Sequence, residues 1–365
     1  MAGPIPNPGI LDIAAYVGGE AHAPGADRLI RLASNEGAYG PSPKAMEAYK
    51  ALAGEIHRYP DGHATALREA IGRRFGYDPA RIVCGAGSDE LLQLLTKCYA
   101  GPGSEVLYSR HGFLIYPIAA KAAGATPVAA PETGLKADVD ALLARVNDRT
   151  RIVFVANPNN PTGSYLTSRE LARLHAGLPR HVLLVIDAAY AEFVRLNDYS
   201  SGAEFVESFP NVVMTRTFSK LYALGGLRLG WAYCSQPVAD VLNRVRGPFN
   251  VSSAAIAAGV AALEDVAFAE KSRQLNEENR AAFTRAVTAA GLTVHPSIAN
   301  FVLVDFSGQL GQKADAEQAR QFLKARGILV RQMGAYGLGN CLRISIGTAE
   351  EMQTVAQGLA DWVHG

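Results

Sequence analysis

Apolar positions along this chain fall into short unbroken runs separated by longer amphipathic stretches, and the alternation repeats. Runs at 81–84, 105–108, 126–129, 152–156, 181–186 and 212–215 each read as a strand, with a further one at 230–234. Strands that are hydrophobic throughout predict a mostly parallel sheet covered on both faces. Helical spacing fills the gaps, at 43–52, 64–75, 88–99, 112–123 and 138–146. Thr167-Ser168-Arg169-Glu170 has capping-box spacing and predicts a helix through 176. Near residue 250 the pattern changes. Residues 252–290 read as two alanine-rich helices broken near Asp265, followed by short strands at 300–305, 328–331 and 341–346 and helices near 316–325 and 349–362.

The expected fold class is α/β. Residues 36–250 form a large domain, a mostly parallel sheet flanked by helices, and residues 251–365 a smaller α+β domain. Pro4, Pro6, Pro8 and Gly18-Gly19 make residues 1–35 an extended arm, with one short helix around 10–17. The arm is expected to pack with the small domain or a partner subunit.

Composition narrows the function classes. Lys plus Arg number 35 and Asp plus Glu 34, a formal charge of +1, which offers no field for nucleic acid or an anionic membrane. No apolar run approaches the roughly 18 residues that span a bilayer. Cys84, Cys98, Cys234 and Cys341 are widely spaced without a CxxC pair, so buried free thiols are expected rather than disulfides or a metal site. No signal peptide is apparent, and the expected location is cytoplasmic.

In an open parallel sheet, ligands bind at the carboxyl ends of the strands, and four such ends carry unusual residues. One strand runs into Gly85-Ala86-Gly87-Ser88 at a helix start, where free N–H groups attract an anion. A second runs into Asn157, and a third ends at Asp187, with Tyr190 three residues on. The fourth leads to Ser219-Lys220, with Arg228 eight residues beyond the lysine. Taken singly, each has a bland reading: a turn, a turn asparagine, a helix cap and a loop lysine. Phe113, in an aromatic-rich segment, reads alone as core. Together they offer a phosphate cradle, a buried carboxylate and a desolvated amine able to form a Schiff base. These are what pyridoxal phosphate requires of a protein.

At this point the chain resembles the fold-type I pyridoxal-phosphate aminotransferases, and within them the histidinol-phosphate aminotransferase family. The matching pieces run nearly end to end. They include Ala33-Ser34-Asn35-Glu36, Arg58-Tyr59-Pro60-Asp61, Gly87-Ser88-Asp89-Glu90, Asn157-Pro158-Asn159-Asn160-Pro161-Thr162-Gly163, Asp187-Ala188-Ala189-Tyr190, Thr217-Phe218-Ser219-Lys220 and Leu342-Arg343-Ile344-Ser345-Ile346-Gly347. The resemblance implies an enzyme in which Lys220 is the catalytic residue and anchors pyridoxal 5'-phosphate. Asp187 would face the ring nitrogen, Tyr190 and Asn157 the ring oxygen, and Phe113 the ring face. Backbone amides at Ala86, Gly87 and Ser88, with Ser219 and Arg228, would hold the phosphate, and Tyr59 would reach it across a homodimer interface. Arg343, Tyr16 and Arg331 would bind substrate.

The implied reaction is transamination of histidinol phosphate with 2-oxoglutarate in histidine biosynthesis. Rival readings are an aromatic amino acid aminotransferase and a phosphothreonine decarboxylase. A transcriptional regulator on this fold needs a helix-turn-helix module, and 35 residues leave no room for one. One departure touches substrate identity: Gly37-Ala38 stands where the family commonly has Asn-Pro.

Overall fold

The computed structural model describes residues 3–20, 29–308 and 315–365. The strands in chain order are β1 (Ile30–Leu32), β2 (Ile82–Gly85), β3 (Glu105–Ser109), β4 (Thr126–Ala130), β5 (Glu132–Thr133), β6 (Lys136–Ala137) and β7 (Thr150–Ala156). They continue with β8 (Leu183–Asp187), β9 (Val212–Thr217), β10 (Gly230–Cys234), β11 (Thr293–His295), β12 (Phe301–Asp305), β13 (Ile328–Gln332) and β14 (Cys341–Ser345). Seven form the large sheet, in the order β2-β10-β9-β8-β7-β3-β4. Five of its strands pair in parallel, and β10 lies antiparallel between β9 and β2. β8 and β9 are buried along their whole length, as strands covered by helices on both faces must be, and the polar ends, Asp187 and residues 215–217, are buried with the apolar runs that precede them.

Local signals act where the sequence places them. Thr167 accepts from Glu170 N while the Glu170 carboxylate takes the Thr167 N–H, closing both halves of the capping box on helix Ser168–Gly177. The alanine-rich stretch breaks at Asp265 into helices Ser253–Glu264 and Val266–Ala289. The expected helix at 112–123 is shorter, Ile115–Ala122, and the described part of the arm has a 3-10 turn at Ile10–Asp12 instead of a helix to 17. Residues 21–28 of the expected arm lie outside the described residues.

Two boundaries differ from the sequence reading. β1, expected in the arm, pairs in parallel with β13 and is the edge strand of a second sheet, β1-β13-β14-β12-β11. Three residues are too short to show a strand period, and their partner lies 298 positions away. Helix Ser253–Glu264, expected in the small domain, instead packs its Ala255, Ala258 and Ala262 into the large-sheet core beside Leu67 and Phe218. Its small residues allow that close approach, and composition alone does not say which neighbour they meet. Among the described residues no helix is long and apolar enough to cross a membrane.

Candidate active site

The parallel register fixes the centre of the site. Ala156 and Asp187, the last residues of β7 and β8, stand side by side, and Asp187 pairs with Thr215 near the end of β9, so residues following these ends converge on one cavity. That cavity has a volume of about 250 Å³ and is walled by Lys220, Asp187, Tyr190, Ser219, Arg228, Phe113 and Ser88, with Tyr16, Arg331 and Arg343 toward the second sheet.

Asp187 is 5% exposed. Its carboxylate accepts from Tyr116 Oη at 2.8 Å and Thr215 Oγ1 at 3.3 Å. Burial pushes its pKa up to about 6 and the nearby Asp89 charge adds to this, while the Tyr116 and Thr215 hydrogen bonds pull the other way. Two hydroxyls orient the carboxylate but bring no cation to it. Lys220 Nζ lies 3.3 Å from Ser34 O and 5.7 Å from the Tyr190 ring centre. Burial holds its pKa down to about 8, reinforced by Arg343 and Arg228 and opposed by Asp89 and Glu36. At neutral pH a usable fraction of the amine is therefore free, as a nucleophilic or proton-transferring lysine requires.

The anion end is built from Ser219, Arg228 and the start of helix Ser88–Tyr99. Arg228 Nη1 donates to Gly225 O at 3.0 Å and reaches Ser219 Oγ at 3.4 Å, while Nη2 reaches Asp89 at 3.4 Å. Gly87 has φ +87°, and a Cβ there would meet Arg228 Nη2 at 2.4 Å, so the guanidinium lies against the turn only because that residue is glycine. A Cβ at Gly230 would similarly strike Ser88 N at 2.3 Å.

The cradle differs from the expectation in one respect. Ala86 N donates to Glu90 Oε2 at 2.6 Å and Gly87 N to Gly85 O at 2.8 Å, so neither amide is free for a ligand. Ser88 and Asp89, at the helix N-terminus with its unsatisfied N–H groups, form the cavity wall instead.

Asn157 is the clearest correction. It is fully buried and outside the cavity wall. Its Nδ2 donates to Leu166 O and Ser200 O, and its Oδ1 accepts from Leu166 N, so its amide is consumed in holding the turn. Asn160, three residues on, lines the cavity and accepts from Arg343 Nη1. Sequence reasoning missed Asn160, and the only available signal was its place in the same asparagine-rich turn. It also missed Tyr116, which holds Asp187.

Arg343 is 6% exposed, with Nη2 donating to Ala33 O at 2.8 Å, and its Nε is buried without a hydrogen-bond partner. A buried, unpartnered guanidinium donor at a cavity wall suits an anionic ligand. Arg331 reaches Val17 O, and its guanidinium lies 5.8 Å from the Tyr16 ring. Phe113 meets Tyr116 edge-on at 6.0 Å. Tyr59 stands apart from this cavity: it is 82% exposed and stacks on Phe249 at 4.6 Å. Gly37 packs against Lys220 O and Ala223, and neither it nor Ala38 lines the cavity, which places the Gly37-Ala38 departure outside the wall. The four cysteines are free. Elsewhere, His295, Asp305 and Cys341 bring three donor atoms within 4.8 Å of one another in the second sheet.

A desolvated lysine, a buried carboxylate without a cation and an arginine-backed helix start share one cavity, an arrangement suited to a ligand that carries both an anionic group and a cationic ring. The chain belongs to the aminotransferase class I and II family, whose profile it matches over residues 27–359. Over its full length it is 71% identical to the histidinol-phosphate aminotransferase of Rhodospirillum centenum, covering 100% of both chains. It is 61% identical to that of Paramagnetospirillum magneticum, covering 100% of this chain and 99% of the relative. Within the family it therefore belongs with the histidinol-phosphate aminotransferases. The solved histidinol-phosphate aminotransferase of Sinorhizobium meliloti, in complex with pyridoxal-5'-phosphate, superposes with a TM-score of 0.89 at 30% identity, covering 97% of this chain and 96% of that one. The aspartate aminotransferase of Thermus thermophilus with maleate, at 23% identity and a TM-score of 0.80 over 92% and 91% of the two chains, shares the fold.

Proposed function

We propose that this aminotransferase binds pyridoxal 5'-phosphate in the cavity around Lys220 and exchanges the amino group of histidinol phosphate with 2-oxoglutarate, in histidine biosynthesis in the cytoplasm. The observation that carries the reading is the convergence of Lys220, Asp187 and the Ser219–Arg228 cradle on one cavity walled at its other end by Arg343. When bound, the cofactor supplies an electron sink for the pair released as a proton leaves the substrate Cα.

The protein's part follows from its residues. Asp187, held by Tyr116 and Thr215, gives a cationic ring nitrogen the counter-charge that this strand end otherwise lacks. Arg228, Ser219 and the N-terminal amides at Ser88 and Asp89 hold the phosphate. Lys220 Nζ, with its pKa down to about 8, takes the Cα proton as a free amine and returns it as an ammonium. Arg343, with Nη1 and Nη2 fixed by Asn160 and Ala33, keeps a donor for the substrate's acidic group. Phe113 covers one side and excludes water.

The working unit we propose is a homodimer with Tyr59 completing the partner's phosphate site. Met46, Tyr49, Ile56, Tyr59 and Phe249 are exposed apolar side chains, and Tyr59 stacks on Phe249, as side chains that a partner would cover. The test is to load the purified protein with pyridoxal phosphate and follow its visible absorbance as single donors are added. Histidinol phosphate should bleach it rapidly and phenylalanine should not. The reverse preference overturns the substrate, and indifference to every amino donor overturns transamination.

A further inference from the structure

Asn35 lies outside the machinery described so far, yet it is 1% exposed and lines the cavity. Its backbone is left-handed, with φ 55°, a conformation that asparagine tolerates and most residues avoid. It sits where the chain passes from β1 of the second sheet toward the large domain, and its hydrogen bonds reach both. Asn35 N donates to Ser345 Oγ at 2.8 Å, and Asn300 Nδ2 donates to Asn35 O at 3.1 Å. Ser345 ends β14, and Asn300 immediately precedes β12. On the other side, Asn35 Nδ2 donates to Tyr190 Oη at 2.9 Å.

The hydrogen bonds around Asn35 set the proton directions. Ser345 Oγ accepts the Asn35 N–H and donates its own proton to Asn35 Oδ1, 3.1 Å away. That fixes the amide, with Oδ1 toward Ser345 and Nδ2 toward Tyr190. Because Tyr190 Oη accepts from Asn35, its hydroxyl proton cannot point back. It points into the cavity that Tyr190 also lines.

We propose that Asn35 is a positioning residue, relaying the placement of the second sheet through Ser345 to the direction of the Tyr190 hydroxyl. Tyr190 is thereby a committed hydrogen-bond donor to whatever oxygen anion occupies the cavity beside Lys220. This rests on the cofactor reading above, in which that oxygen is the phenolic oxygen of pyridoxal phosphate. A donor there stabilises the oxygen anion and lowers the pH at which the bound chromophore loses its proton.

The experiment titrates the visible absorbance of the loaded, full-length protein against pH. Asn35→Gly removes the amide and accepts the left-handed backbone without strain. It should raise the midpoint by about 0.4 to 1 pH unit, the range one neutral hydrogen bond supplies. Tyr190→Phe should raise it in the same direction. In the Tyr190→Phe background Asn35→Gly should add almost nothing, because its effect runs through that hydroxyl. The charged groups that face Lys220, namely Arg343, Arg228, Asp89 and Glu36, are the same in every variant. Those that face Tyr190, Arg343 and Asp187 with the phenol of Tyr336, are also unchanged.

An equal shift in both backgrounds, or none in either, overturns the proposal. Should Asn35→Gly fail to fold, Ser345→Ala keeps the asparagine but frees its amide. It must then shift the midpoint upward in the parent and leave it unmoved in Tyr190→Phe, and failure on either count also overturns the proposal. A parent protein with no visible chromophore at any pH overturns the cofactor reading instead, and the two failures are distinct.

Discussion

Arg216 and Asp187 are each 5% exposed and lie on neighbouring strands of the same sheet, but their charges meet opposite fates. Arg216 donates to Glu192 Oε1 through Nε at 3.1 Å and Nη2 at 2.7 Å, and its guanidinium lies 5.0 Å from Phe75 and 5.5 Å from Trp231. Its charge is neutralised within the chain, and the Glu192 charge holds its pKa up despite burial. Asp187 and Lys220 face the cavity without such a partner, and burial drives both toward their neutral forms. A buried charge answered by the chain itself is part of the scaffold. One left unanswered marks where a ligand must supply the opposite charge.

The comparison predicts that the two clusters fail in different ways. Lys220→Ala should reduce amino-group exchange by at least about 10³-fold, within the range for a lost general acid–base group. The cofactor-free protein should melt no lower than the parent, since a poorly solvated ammonium has been removed. Exchange at the parental rate in single-turnover absorbance would remove Lys220 from the mechanism. Glu192→Ala should do the reverse. It strands the Arg216 charge and should cost about 3–5 kcal/mol in urea unfolding, while the surviving folded enzyme keeps its turnover within about 3-fold. A loss of turnover without a loss of stability would erase the distinction between the clusters.

The same distinction explains what could be read in the chain alone. Unbroken apolar strands, the capping box at Thr167 and the break at Asp265 are local signals, and the large sheet follows from them. Lys220, Asp187, Ser219 and Arg228 meet in one cavity, as the convergence of strand ends predicts. What the sequence hid depends on distant or competing hydrogen bonds. Asn157 and Asn160 share one turn, and only contacts to Leu166 and Ser200 show that the first is closed off. The amide of Ala86 is taken by Glu90, four residues away, which composition could not foretell. Tyr116 orients Asp187 across 71 residues, and Asn35 meets Ser345 across 310.

The smallest effect is the most diagnostic of an unanswered charge. Asp187 titrates near 3.8 when unfolded and about 6 when folded. Between these values the native state binds more protons than the unfolded one, so stability falls as pH rises through that window. The group's share of the fall is on the order of 3 kcal/mol, present in the cofactor-free protein and absent in Asp187→Asn. Chemical unfolding at intervals from about pH 4 to 7 reads it directly, and a slope that survives in Asp187→Asn places the titrating group elsewhere. Pyridoxal phosphate should flatten the same slope in the parent. A cationic nitrogen beside the carboxylate favours its charged form, so the stabilisation on loading should be larger at pH 7 than at pH 4.5. Arg216, already paired, should contribute no slope in this window with or without the cofactor.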